Sequence, residues 1–185
     1  MKNIHTLFVT LGLAVSTLVL APGCASTATQ SSTGELIDDS VITTKVKTAL
    51  VRDDTTPGGA IGVDTFKGTV QLSGFVDTDA QKAQAGVITA KIEGVKQVAN
   101  DITVSANPTK SSTGEFIDDS VITTKVKAAL VQDKGTPASA IKVDTRKRTV
   151  QLSGFVDSAA QKVEASVVAA KIEGVKEVQN NIIVK

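Results

Sequence analysis

The chain contains few side chains that could act as nucleophiles, general bases or metal ligands. Its single histidine is His5 and its single cysteine is Cys24, both close to the N-terminus. Adjacent aspartates at 38–39 and 118–119 could form a carboxylate pair or a calcium site. Neighbouring helix positions point about 100° apart, however, and an aspartate at a helix start normally caps backbone N–H groups. We therefore predict helix caps at these pairs, with no catalytic residue, no metal site and no cofactor.

Two further classes of chemistry lack their usual residues. The Gly58-Gly59 pair is not followed by the Lys and Ser or Thr of a phosphate-binding loop. The chain has no Trp or Tyr, and its net charge is +1. It therefore has few rings on which bases could stack and no strong field directed at phosphates. We predict a protein that is not an enzyme and that binds neither nucleic acid nor a small-molecule substrate.

The N-terminus reads as an export signal. Lys2 is followed by an uncharged apolar run over 7–21, and Pro-Gly-Cys comes next. A spanning helix needs about 20 apolar residues, so we interpret 1–23 as a signal peptide. Residues 24–33 are mostly Ala, Ser and Thr, which indicates a flexible tether. We expect the protein to be exported to the periplasm.

Cys24 is the candidate site of lipid attachment. The segment 21–24, Ala-Pro-Gly-Cys, resembles the lipobox of bacterial lipoproteins, in which the cysteine becomes the acylated first residue. Acyl chains stabilise membrane attachment by about 0.8 kcal/mol per buried methylene. Under lipoprotein sorting rules, Ala25 rather than Asp after the cysteine implies the outer membrane. The alternative is ordinary cleavage after Ala25 or Ala28, which would leave a soluble periplasmic protein.

The remainder of the chain is a tandem repeat of one sequence unit. At an offset of 80, residues 31–105 and 111–185 share 53 identities in 75 aligned positions without a gap. Solenoid repeats have periods of about 20–50 residues, so this longer period predicts two globular domains. We place them at 34–104 and 114–185, joined by the polar linker 105–113.

Each copy has the same predicted order of elements. In the first, a helix runs from Asp38 or Asp39 to about Val51 and a β-hairpin spans 61–73. A second helix, capped by Asp77 or Thr78, ends near Gly94, and a strand with an irregular start covers 95–104. The order is αββαβ. The predicted buried stripe of the first helix is Val41, Ile42, Val46, Ala49 and Leu50, and that of the second is Ala80, Ala83, Val87 and Ala90.

Three motifs resemble the BON domain family. They are Thr-Thr-Lys-Val-Lys, Val-Gln-Leu-Ser-Gly-Phe-Val-Asp and Gly-Val-Lys-x-Val-x-Asn-x-Ile-x-Val, with glycines at 74, 154, 94 and 174 in the family's positions. The resemblance implies an α+β fold of two tandem αββαβ sandwich domains, each with two helices packed on a three-stranded mixed sheet. It also implies a cell-envelope protein that binds anionic phospholipid membranes and supports outer-membrane integrity, with envelope proteins as further partners. Lipid contact is then expected on the first helix of the second domain, here about 118–131. The alternative within the family is a soluble periplasmic osmotic or envelope stress protein with chaperone-like binding.

Charge distinguishes the two copies. Residues 31–105 hold 7 basic and 10 acidic side chains, whereas 111–185 hold 11 basic and 9 acidic ones. The change is concentrated in the second hairpin, where Gly62, Phe66 and Gly68 are replaced by basic residues. Near an anionic bilayer each Lys or Arg contributes about 1 kcal/mol. The alternative is an ordinary solvated turn. The predicted anionic-lipid contacts are Lys125, Lys127, Lys142, Arg146, Lys147 and Arg148.

Overall fold

The computed structural model describes residues 38–105 and 113–185 of the chain. The predicted signal peptide, Cys24, the tether and most of the predicted linker lie outside these ranges.

The predicted α+β fold, with the order αββαβ in each copy, is confirmed. The first domain consists of α1 (Asp39–Arg52), β1 (Ile61–Phe66), β2 (Thr69–Val76), α2 (Asp79–Ala90), β3 (Gln97–Asn100) and β4 (Thr103–Val104). The second consists of α3 (Thr113–Gln132), β5 (Ile141–Arg146), β6 (Thr149–Val156), α4 (Ala159–Ala170), β7 (Glu177–Asn180) and β8 (Ile183–Val184). Helix α3 therefore begins upstream of the expected start near residue 118.

Each sheet is mixed, with its longest strand in the centre. In the first domain β1 is antiparallel to β2, and β3 and β4 both run parallel to β2 on its other side. The predicted last strand is thus interrupted in its middle, at 101–102, rather than irregular at its start. Ile102 at the interruption is 1% exposed, so the break lets this side chain enter the core. The second domain repeats the arrangement.

The adjacent aspartates have two different roles. Asp38 caps α1, as predicted, and accepts a hydrogen bond from the Ser40 N–H at 2.9 Å. Asp39 instead accepts from the N–H groups of Lys67 and Gly68, at 2.6 and 2.8 Å, in the turn between β1 and β2. In the second copy Asp119 binds the equivalent turn, and α3 begins before this pair. The predicted cap is therefore confirmed for the first pair, at Asp38, and was wrong for 118–119.

Each domain has its own hydrophobic core between helices and sheet. In the first, Ile42, Val46 and Leu50 of α1 pack against Val63, Val70, Leu72 and Val76 of the hairpin. Equivalent residues form the second core. Val41, predicted to be buried, is 44% exposed, because the buried stripe follows positions 42, 46 and 50.

The predicted apolar stripe of the second helix was wrong. Ala80, Ala83, Val87 and Ala90 are all exposed, whereas Ala85 and Thr89 are buried. The Thr89 hydroxyl donates to the Ala85 carbonyl oxygen at 2.8 Å. Because that bond satisfies the hydroxyl, a threonine can face the core, where it lies beside Ala85 and the partly buried Ile88.

The two domains meet through the sheet faces that their helices leave uncovered. Gln71 and Ser73 of β2, and Gln151 and Ser153 of β6, alternate along their strands with core residues and would face solvent in an isolated domain. All four are fully buried. The sheets therefore form the two inner layers, and the helices of each domain lie on the outside.

Candidate functional site

Two of the six predicted lipid-contact residues lie at the domain interface. The Lys142 Nζ is 2.8 Å from Asp64 Oδ2, and the Arg146 Nη2 is 2.6 Å from Asp77 Oδ1. Both acids belong to the first domain. Lys142 also lies over Gly62, where an added Cβ would be 3.1 Å from the lysine Cδ. The structure thus places these two positive charges against acids of the first domain and not in an open basic patch.

Two buried glutamines exchange hydrogen bonds across the same interface. Gln71 Oε1 accepts from the Gly154 N–H at 2.8 Å, and Gln151 Oε1 accepts from the Gly74 N–H at 2.5 Å. The Gln71 amide donates to Asp101 Oδ2 at 2.8 Å, and that of Gln151 donates to the Asp101 carbonyl oxygen at 2.7 Å. Both glutamines therefore act as polar links between the domains. Their place in the repeated Val-Gln-Leu-Ser-Gly motif was the available signal, and sequence reasoning missed this role.

The backbone at Gly74 and Gly154, the two donors in this exchange, can be adopted without strain only by glycine. Gly74 and Gly154 have φ values of +106° and +121°, and a Cβ at either would collide with the carbonyl oxygen of Ala60 or Ala140. Since both N–H groups bond to a glutamine of the opposite domain, the same conformation serves the interface.

Some of the residues that differ in charge or ring content between the copies contribute to this interface. The rings of Phe66 and Phe155 lie 5.6 Å apart, and the Lys185 Nζ lies 5.3 Å from the Phe66 ring. Lys185 also pairs with Asp157 at 3.0 Å. In the copies, Phe66 corresponds to Arg146 and Ser105 to Lys185, so residues that differ between copies contact the opposite domain or lie beside that contact.

A cleft of about 390 Å³ opens between the domains. It is lined by Asp64 and Phe66 of the first domain and by Lys127, Lys142 and Phe155 of the second, among others. Nearby, burial raises the pKa of Asp144; Lys142 and Lys127 oppose this rise, and Asp64 adds to it. Lys127 therefore faces the interface side of α3. The described residues that line this cleft include no histidine or cysteine.

Lys125 and Arg148 share a different surface, on the outer side of the second domain. Together with Val121, Glu173 and Gly174 they line a shallow groove of about 340 Å³. In the first domain the equivalent Lys45 pairs with Glu93 at 3.3 Å. Within the described residues, Lys125 has no carboxylate partner within the 4.0 Å limit of an ion pair.

Arg148 adopts a backbone conformation that normally favours glycine. Its φ is +65°, and the first domain has Gly68 with φ +81° at this position. A left-handed conformation costs an ordinary residue about 1–2 kcal/mol. The turn is held by Asp119, and the Arg148 Nε donates to the Gly174 carbonyl oxygen at 2.7 Å. Lys147 also has positive φ, but so does Lys67, so it does not distinguish the copies.

Within residues 38–105 and 113–185, no helix is long and apolar enough to span a bilayer. In the same ranges no three His, Cys, Asp or Glu side chains converge as metal ligands would.

Known proteins match the chain over both folded units. Residues 38–106 and 118–185 match the family model described as the BON domain. Osmotically-inducible protein Y of Escherichia coli K12 is 37% identical over 155 residues, covering 84% of this chain and 77% of that protein. The outer membrane lipoprotein DolP of Haemophilus influenzae is 34% identical over 148 residues, covering 80% and 75%. A 21 kDa hemolysin of Actinobacillus pleuropneumoniae is 32% identical over 148 residues, covering 80% and 74%.

Proposed function

Because this chain belongs to the BON-domain family, we propose that it is a non-enzymatic cell-envelope protein that associates with anionic phospholipid membranes and supports outer-membrane integrity. The similarity to an outer membrane lipoprotein supports the location. The predicted signal peptide and the lipobox-like segment ending at Cys24 support it independently. In this proposal an acylated Cys24 anchors the chain, and the second domain contacts the lipid headgroups.

The observation that carries the proposal is the position of Arg148. An arginine occupies a left-handed turn position where the first domain has glycine, and it lies beside Lys125 on the outer side of the molecule. Residues held in sparsely populated backbone conformations concentrate at functional sites. Lys125 is exposed on the first helix of the second domain, where the family resemblance implies lipid contact.

The six predicted cations then divide into two groups. Lys125 and Arg148 contact phosphate headgroups directly, with Lys147 at the adjoining turn. Lys142 and Arg146 hold the two domains together, and Lys127 lies beside the interdomain cleft. Each headgroup contact contributes about 1 kcal/mol. Contacts of this size are enough to dock the domain on the bilayer when a lipid anchor already holds it nearby.

Vesicle co-sedimentation of residues 25–185, which lack the anchor, tests the proposal. We expect binding to phosphatidylcholine vesicles that contain phosphatidylglycerol and little binding to phosphatidylcholine alone. The Lys125→Ala, Arg148→Ala double variant should bind roughly thirtyfold more weakly, since it loses about 2 kcal/mol. Lys45→Ala is the matched control in the first domain and should bind normally. Equal binding to both kinds of vesicle would contradict the proposal.

The second candidate is a soluble periplasmic osmotic or envelope stress protein with chaperone-like binding. The similarity to an osmotically-inducible protein favours it. Mass spectrometry of the mature N-terminus separates the two candidates. A diacylglyceryl group on Cys24 supports the membrane-anchored protein, whereas an unmodified terminus at Ser26 or Thr29 supports the soluble one.

A further inference from the structure

Helix α4 turns an uncharged apolar stripe away from its own domain. Ala160, Val163, Val167 and Ala170 are all exposed, and Val163 is 59% exposed. Their spacing places them on the side of α4 opposite the buried Ala165. Core packing therefore gives no account of these residues, although they form a regular helical stripe.

Helix α3 carries a similar stripe on the same outer layer. Its outward positions are Val121, Thr124, Ala128 and Val131, all exposed, and Val131 is 73% exposed. Helices α3 and α4 contact each other on one side of the sheet, so their outward stripes belong to a single surface. We call Val121, Ala128, Val131, Val163 and Val167 the outer apolar face.

Differences between the copies make this face more apolar in the second domain. Ala83 becomes Val163, Thr48 becomes Ala128, and the exposed Asp79 becomes Ala159. Lys125 lies one position from the α3 stripe, and Arg148 shares a groove with Lys125 and Val121. The same groove includes the acid Glu173, so the two cations exceed the acids there by one. An apolar stripe with this excess of positive charge at its border matches an anionic bilayer, in which basic heads meet phosphates while apolar side chains enter the acyl boundary.

We propose that the outer apolar face enters the interfacial layer of an anionic phospholipid bilayer, with α4 supplying apolar contact beside the basic residues of α3. This proposal rests on the proposed function and extends its contact surface to a second helix. The occupant is the bilayer, since the stripes contain no charge and the neighbouring Lys125 and Arg148 complement anionic headgroups.

The chain contains no tryptophan, so a single introduced indole reports its own surroundings. Residues 25–185, which contain every described element, would be prepared as Val163→Trp and as Ala83→Trp, the equivalent position on α2. With vesicles containing phosphatidylglycerol, we expect the Val163→Trp emission to shift to the blue and to be quenched by bromine-labelled phospholipid. The Ala83→Trp emission should keep its position. Equal shifts in both variants would overturn the assignment to the second domain.

Vesicle binding and the depth of the indole in the bilayer are measured separately, so that the proposed function and this inference can fail separately. If the Val163→Trp protein co-sediments with anionic vesicles but its emission remains that of an indole in water, this inference is wrong and the proposed function stands. If neither variant nor the parent chain co-sediments, both are wrong. A blue shift that depends on protein concentration without vesicles would assign the face to self-association and overturn lipid contact.

A second pair of variants tests the apolar contribution without adding a ring. Val163→Ser with Val167→Ser should weaken anionic-vesicle binding about fivefold to tenfold, because two half-exposed valines lose part of their burial. Ala83→Ser with Val87→Ser on α2 is the matched control and should bind like the parent. Unchanged binding of the α4 pair would overturn the inference.

Discussion

The Lys142 Nζ lies 2.8 Å from the Asp64 carboxylate of the opposite domain, so a residue that differs between the two copies helps to join the two domains. Lys142 lies over Gly62, and Gly62 is the residue of the first copy that aligns with Lys142. Two second domains packed in this way would bring two lysines together. Two first domains would leave Asp64 without a cation. The interface therefore specifies a first domain paired with a second domain.

Loss of the interdomain ion pairs should lower stability. Both pairs are about a third exposed, so each contributes about 0.5–1 kcal/mol. We expect Lys142→Ala with Arg146→Ala to lower the free energy of unfolding by about 1–2 kcal/mol in urea titrations. High salt should reduce the difference from the parent chain, because these pairs are partly screened. A double variant as stable as the parent at low salt would contradict this account.

The glutamine exchange should contribute more than the ion pairs. Gln71→Ala or Gln151→Ala leaves a buried glycine N–H of the opposite domain without its acceptor, which costs about 1–3 kcal/mol. Urea unfolding measures the loss, and the exposed Gln132→Ala is the control. The double variant should lose less than the sum of the single losses if the two links form one network. Wild-type stability in either single variant would show that the domains do not depend on this exchange.

Arg148→Gly should change stability and lipid binding in opposite directions. Glycine adopts the left-handed turn without strain, so we expect about 1 kcal/mol of added stability, reduced somewhat by the lost bond to Gly174. Binding to anionic vesicles should fall because a headgroup contact is removed. Thermal unfolding and co-sedimentation measure the two effects. A variant that loses stability and keeps its binding would assign Arg148 a structural role.

The pH dependence of stability should reflect Asp144. Burial raises the pKa of this carboxyl in the folded protein, so the folded state binds its proton more tightly than the unfolded state. The contribution of Asp144 is therefore most favourable below the unfolded pKa and declines as pH rises through the higher folded pKa. Asp144→Asn should be more stable than the parent at neutral pH, with a smaller advantage at acidic pH. Urea titrations across this range measure the difference, and a constant advantage would contradict the assignment.

Local patterns were sufficient to predict the order of elements but not what covers each surface. Ile42, Val46 and Leu50 recur at helical spacing, and the hairpin alternates, so αββαβ follows from the sequence. Gln71 alternates with core residues, which predicts exposure; only the opposite domain buries it. The contact of Gln71 with the opposite domain joins residues that are distant in sequence, so no local pattern predicts it.

The roles of charged and small residues were harder to predict for similar reasons. Asp39 bonds to a turn 28 residues away, whereas its sequence position predicted a helix cap. On α2, the predicted apolar stripe faces outward, and the core side instead includes Thr89, whose hydroxyl bonds to the Ala85 carbonyl oxygen. Lys142 and Arg146 formed a predicted basic cluster with Lys147 and Arg148, but their acidic partners are distant in sequence.

The central claim is that the outward cations of the second domain contact lipid, while its interface cations join the domains. The most direct measurement compares Lys125→Ala with Arg148→Ala against Lys142→Ala with Arg146→Ala in binding to vesicles containing phosphatidylglycerol. Both double variants remove two positive charges, so the change in net charge is the same. We predict a roughly thirtyfold loss of affinity for the first and less than about a twofold loss for the second. Equal losses, or a larger loss for the second, would contradict the claim.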